Sequence, residues 1–120
     1  MKVTSALLFT IFLLTISLRH AMAKERFFVC GSTDFGQHLS LRVINKMCSH
    51  VFDDVNKCCA THDSCYGNQS GRDFCDSQFC SCLGALTATW TMENFLCYPP
   101  LKGFCKAVKW FGGKAYENSG

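Results

Sequence analysis

The sequence predicts a small, mainly α, disulfide-rich fold built on two antiparallel helices that are cross-linked to each other. Three observations carry that expectation. The chain has ten cysteines in 120 residues. Two stretches, near residues 51–66 and 73–90, repeat apolar side chains at helical spacing. Cysteines on one stretch also match cysteines on the other in register. An even and dense cysteine count, in a short chain with a secretory start, implies a framework of up to five disulfides.

The first element is a leader. Lys2 gives a short basic start, residues 6–18 are an almost unbroken apolar run, and Ala21-Met22-Ala23 fits the small-x-small cleavage pattern. Residues 1–23 therefore read as a signal peptide, and residues 24–120 as one secreted, extracellular domain. A membrane anchor is the alternative, but a run of thirteen residues falls short of the roughly 20 that span a bilayer. The remaining 97 residues suffice for one small domain with a modest core, which cross-links supplement. Without Lys2 and Arg19, ten basic residues face nine acidic ones, so charge makes no case for nucleic acid. There is no internal repeat, low-complexity run or linker.

Residues 24–48 read as loop, because Cys30-Gly31-Ser32-Thr33-Asp34-Phe35-Gly36 is rich in turn-forming residues. From about Val51, the positions Val51, Val55, Cys58, His62 and Cys65 keep helical spacing. Asp53 and Asp54 suit the start of that helix, and Gly67-Asn68 suits its end. A second helix begins near Asp73 as N-cap and carries Cys75, Phe79, Cys82, Leu86 and Trp90. Only about seven residues separate the two patterns, so the helices fold back antiparallel. Past Asn94 the chain reads as irregular, with Pro99-Pro100 and Gly112-Gly113 as breakers.

Positions that face each other across an antiparallel helix pair have numbers with a near-constant sum. Cys65 with Cys75 and Cys58 with Cys82 share one sum, and both intervals along the chain are seven residues, two turns. The expected rungs are therefore Cys65–Cys75 and Cys58–Cys82. The other six, Cys30, Cys48, Cys59, Cys80, Cys97 and Cys105, allow fifteen pairings, and their spacing chooses none.

His62 lies between those rungs, and Asp76 stands at nearly the same level on the opposite helix. A carboxylate there can hold one imidazole nitrogen and leave the other as a base. Tyr66, one turn beyond His62, can donate to the same carboxylate. The plainer alternative is a buried histidine satisfied by any acceptor. Asp63 is turned about 100° from His62, either toward the 30–36 segment or into solvent. A carboxylate plus backbone carbonyls is the all-oxygen set that Ca²⁺ selects. Zinc at Cys58, Cys59, His62 and Cys65 is disfavoured, because a secreted context oxidises thiols and paired Cys-x-x-Cys units are lacking.

The run Cys58-Cys59-x-x-His62-Asp63-x-Cys65-Tyr66 resembles the active-site helix signature of the secreted phospholipase A2 family. Cys75-Asp76 followed by Cys82 resembles the second helix of that family, and the resemblance covers roughly residues 30–86. It implies that His62 is the general base, deprotonating a water that attacks the sn-2 ester of a glycerophospholipid. Asp76 would orient His62, and Tyr66 would bond Asp76. Asp63 would ligate Ca²⁺ with loop carbonyls, which alignment of Cys30 and Gly36 assigns to Gly31, Thr33 and Phe35.

Departures from the family pattern are visible. The usual calcium loop, Tyr-Gly-Cys-x-Cys-Gly-x-Gly, is altered, and Ser32 stands where Cys59 usually finds its partner, which leaves Cys48 as a candidate. The short interhelical turn cannot hold the β-hairpin wing of most members. With the run from Cys30 to Leu39, it resembles the group XII branch. The implied function is a secreted calcium-dependent phospholipase A2; a catalytically weak scaffold that binds lipid or a receptor is the alternative. The implied partner is a phospholipid membrane or micelle surface, for which Lys106, Lys109, Trp110, Phe111 and Lys114 offer a basic-aromatic mix. Asn68-Gln69-Ser70 is a glycosylation sequon in the interhelical turn.

Overall fold

The structure is a computed structural model that describes residues 4–21 and 28–120. Among these described residues, six helices follow in order: α1 (Ser5–Ala21), α2 (Asp34–Met47), α3 (Phe52–Gly67), α4 (Arg72–Leu86), α5 (Met92–Phe111) and α6 (Gly113–Asn118). A 3-10 turn, Ser49–Val51, leads into α3. No strand occurs among the described residues, in keeping with a small, mainly α, disulfide-rich fold without a β-wing. The apolar run expected to be a leader forms α1, with residues 4–16 exposed. The expected cleavage point between Ala23 and Lys24 lies outside the described residues. No helix among them is long and apolar enough to cross a membrane.

The segment expected to be loop before Cys48 is instead largely α2. Local chemistry explains it. Thr33 has extended backbone and its hydroxyl accepts the Gly36 N–H at 3.0 Å, an N-cap that the turn-rich composition concealed. Asp34 then sits in the first turn, where its charge suits the helix dipole, and Ile44 seats the far end in the core.

The segment expected to be irregular after Asn94 is instead α5, twenty residues that run through Pro99 and Pro100. Two prolines deprive the carbonyls of Phe95 and Leu96 of their helical donors. Phe95, Leu96 and Pro99 are exposed, so water can serve those carbonyls. On the opposite face Asn94, Cys97 and Leu101 are buried, which holds the helix together across the break. Two smaller corrections concern α4. Its N-cap is Gly71, at φ +108°, one residue before Arg72, rather than Asp73. Trp90 lies beyond its end, in the turn before α5.

Five disulfides close the framework, and no cysteine is free among the described residues. Cys58–Cys82 and Cys65–Cys75 form the two rungs between α3 and α4, with Cα separations of 5.8 and 5.6 Å. Cys59 pairs with Cys30, not Cys48, whose own partner is Cys97; Cys80 pairs with Cys105. Helix geometry explains the split. Cys58 and Cys59 are about 100° apart around α3, so one faces α4 while the other faces the chain entering α2. The core gathers Ile44, Phe52, Val55, Phe79, Leu83 and Leu101 around these cystines.

Candidate active site

The two rungs bracket His62, and the register expected from the cysteines places Asp76 against it. His62 Nε2 lies 2.8 Å from Asp76 Oδ1, and the Tyr66 hydroxyl donates to the same oxygen at 2.7 Å. All three side chains are buried. With Asp76 ionised, Nε2 carries the proton and donates, which leaves Nδ1 with a free lone pair. The imidazole is held between the rings of Tyr66 and Phe79, at centroid distances of 4.2 and 4.7 Å. A crevice of about 20 Å³ opens beside it, lined by Thr61, Gln78 and Phe79 as well as both rungs. That is room for one water.

Burial pushes the Tyr66 phenol pKa up, the Asp76 hydrogen bond and charge push it further, and Arg72 opposes them. Tyr66 therefore stays protonated and donates at any physiological pH. Asp63 is solvent-accessible, yet partial enclosure of its carboxyl raises the pKa above the ordinary carboxylate value, with the charge of His62 pulling the other way. It has no hydrogen-bond or ion-pair partner among the described residues. A crowded, unpartnered carboxylate is one that a cation would stabilise.

The other expected ligands belong to the turn that opens α2. Gly31, at φ +117°, accepts from Gln37 Nε2 through its carbonyl at 3.3 Å. The Thr33 carbonyl accepts the Gln37 N–H at 2.8 Å, and Phe35 lies in the first turn of α2. The Cys30–Cys59 bond ties this turn to α3 one helical turn from Asp63. A carbonyl oxygen has two lone pairs, so Gly31 and Thr33 each keep one. The carbonyls of this turn and the Asp63 carboxylate are all oxygen donors, the chemistry that a hard cation selects.

Comparison with known proteins shows the family. A phospholipase A2-like protein of Caenorhabditis elegans is 38% identical over 102 residues, which cover 82% of this chain and 55% of that protein. The chain belongs to the phospholipase A2-like family. It spans about half the length of the curated relative it matches. No family model matches it, and no solved structure matches it at a significant level.

Sequence reasoning about this phospholipase A2-like chain missed two groups of residues. Arg72 was one. Its guanidinium Nε lies 3.7 Å from Asp76 Oδ2, and Nη2 donates to the Lys109 carbonyl at 2.8 Å. The i, i+4 spacing of Arg72 and Asp76 could have shown it. The other was the outward face of α5. Met92, Phe95 and Leu96 are exposed there, next to Trp90, which is 96% exposed. They recur at helical spacing with Lys106 and Trp110, a pattern hidden by reading Pro99-Pro100 as a break. Lys106, Lys109, Trp110, Phe111 and Lys114 are all exposed.

The junction of α5 and α6 closes the Tyr66 side of the site. A Cβ on Gly112 would meet the Val108 carbonyl oxygen and would lie 2.5 Å from the Tyr66 hydroxyl oxygen. Gly112→Ala is therefore expected to destabilise the protein by about 1–3 kcal/mol, because neither backbone nor a ring held by Asp76 can give way cheaply. Gly84→Ala in α4, where a Cβ meets nothing within 4 Å, is expected to stabilise by roughly 0.5–1 kcal/mol. Urea unfolding of both variants checks the opposite signs.

Proposed function

We propose that the chain is a secreted, calcium-dependent phospholipase A2 that hydrolyses the sn-2 ester of glycerophospholipids to a free fatty acid and a lysophospholipid. The observation that carries this reading is the His62–Asp76–Tyr66 group, which leaves one imidazole nitrogen proton-free beside a crevice of water size. His62 Nδ1 takes a proton from water as the water oxygen attacks the sn-2 carbonyl carbon. Asp76 stabilises the imidazolium that forms, and Tyr66 fixes the carboxylate through the same oxygen. The imidazolium then returns the proton to the departing alkoxide oxygen of the glycerol, and the C–O bond breaks. Asp63 and the carbonyls of Gly31, Thr33 and Phe35 would hold Ca²⁺, which supplies positive charge for the substrate phosphate and the developing oxyanion.

The exposed face of α5 supports a lipid surface as the partner. Trp90, Met92, Phe95, Leu96 and Trp110 are apolar or amphipathic, and Lys102, Lys106 and Lys109 flank them. Aromatic and basic residues together suit a headgroup boundary. A second reading, a family scaffold that binds lipid without turnover, draws on the Thr33 carbonyl, which already accepts a helical hydrogen bond.

Fatty-acid release from phosphatidylglycerol-containing vesicles, with Ca²⁺ and with chelator, separates the two readings. Release that needs Ca²⁺ supports the enzyme; vesicle binding without release supports the scaffold. Asp63→Asn is expected to weaken Ca²⁺ binding by roughly tenfold or more, about 1.4 kcal/mol, in calorimetric titration. Unchanged affinity in that variant would remove Asp63 from the ligand set.

A further inference from the structure

We propose that Arg72 is a positioning residue for the His62–Asp76 pair, and that it makes the α5–α6 junction part of the framework of the site. The inference rests on the catalytic reading of His62 and goes beyond it by assigning a role to the C-terminal quarter of the chain.

The guanidinium stands at a crossing of three elements. On α4, its Nε faces Asp76 Oδ2 at 3.7 Å, the distance of an ion pair rather than of a hydrogen bond. On α5, its Nη2 donates to the carbonyls of Lys109 and Val108, at 2.8 and 3.4 Å. These belong to the last turn of the helix, where a cation is favoured, and the Val108 carbonyl also accepts the Gly112 N–H at 2.9 Å. At the start of α6, the third nitrogen, Nη1, would lie 3.0 Å from a Cβ on Gly113, so glycine there leaves it uncrowded. The Nε–H is buried and has no hydrogen-bond partner among the described residues. Asp76 Oδ2 is the acceptor it faces.

What Arg72 does follows from how Asp76 is held. Both hydrogen bonds, from His62 and from Tyr66, converge on Oδ1. A carboxylate gripped through one oxygen has a broad, soft terminal torsion, and its rotation would carry Oδ1 out of line with the imidazole. The fixed positive charge beside Oδ2 opposes that rotation. A planar fork anchored on α5 can do this, whereas a lysine ammonium is a single flexible point charge.

The junction reinforces the arrangement from the other side. The Tyr116 ring meets Tyr66 edge-on at 5.1 Å, and its hydroxyl accepts the Gly71 N–H at 3.1 Å, just before Arg72. Gln69 Nε2 donates to the Tyr116 carbonyl at 2.7 Å. Tyr66 and Arg72, the two side chains that flank Asp76, are thus both seated against one C-terminal elbow.

Arg72→Met and Arg72→Lys test the assignment through two readouts. The first is the low-field proton NMR resonance of an imidazole N–H bonded to a carboxylate, which needs no activity. The second is vesicle hydrolysis, read as kcat and KM. Arg72→Met is expected to weaken or abolish the low-field resonance and to lower kcat about tenfold or more with little change in KM. Arg72→Lys should recover part of both. A resonance unchanged in Arg72→Met overturns the proposal, whatever the activity. So does a fall in kcat and thermal midpoint that Arg72→Lys shares in full, which would mark a purely structural clamp. Should Arg72→Met fail to fold, a wild-type resonance in Arg72→Lys overturns it as well. Should the wild-type protein release no fatty acid, the enzyme reading fails and the resonance alone decides the role of Arg72.

Discussion

Replacing His62 by glutamine is expected to lower calcium-dependent fatty-acid release by about 10²–10⁴-fold, the range that a positioned general base contributes. Glutamine is the sharpest substitution because it separates basicity from structure. Its amide N–H can still donate to Asp76 Oδ1, which His62 Nε2 reaches at 2.8 Å, so the buried carboxylate keeps a partner. No titratable nitrogen remains to take a proton from water. The space between Tyr66 and Phe79 stays filled, although the ring contacts at 4.2 and 4.7 Å are lost. The unfolding midpoint should therefore move little while turnover collapses. Release that persists at the wild-type rate would show that the hydrolytic base lies elsewhere.

The halves of this site differed in how openly the sequence declared them. His62, Asp76 and Tyr66 were legible because disulfides impose hard geometry. Two cysteine pairs with equal spacing fix the register of α3 against α4, and register alone brings Asp76 level with His62. Fold class was legible for the same reason. Elements without such constraints were misread. Thr33 caps α2 inside a run of turn-forming residues, where composition and hydrogen bonding point opposite ways. Pro99 and Pro100 break the local rule for helices, yet α5 continues because buried Asn94, Cys97 and Leu101 and two disulfides hold it on either side. Tertiary packing overrode local propensity there. Arg72 escaped notice because its role depends on the carbonyls of Val108 and Lys109, thirty-six and thirty-seven residues away. That contact exists only once α5 is known to be a helix.

Removing the Cys48–Cys97 bond, with alanine at both positions, is expected to cause the largest loss of stability of any single disulfide deletion. Its ends are 49 residues apart, against 10 for Cys65–Cys75, and both half-cystines are fully buried. Chain entropy gives about 3–4 kcal/mol, allowing for the shortcut that Cys58–Cys82 provides, and about 3 kcal/mol for Cys65–Cys75. The vacated sulfur volume between α2 and α5 adds a cavity term to the first of these. Against the roughly 5–15 kcal/mol of a typical domain, that loss leaves little margin. Function should follow a different order. Cys48–Cys97 joins the end of α2 to α5 and leaves both rungs beside His62 in place, so molecules that remain folded should keep their activity. Deleting Cys65–Cys75 removes a wall of the crevice and one of the two bonds that set the height of Asp76 against His62. That variant should be the more stable of the two and the less active. Urea midpoints under non-reducing conditions and hydrolysis per folded molecule test the crossing directly. If stability and activity instead fall in the same order, the rungs are not what aligns the His62–Asp76 pair, and the alignment must come from the α5–α6 elbow acting through Arg72 and Tyr66.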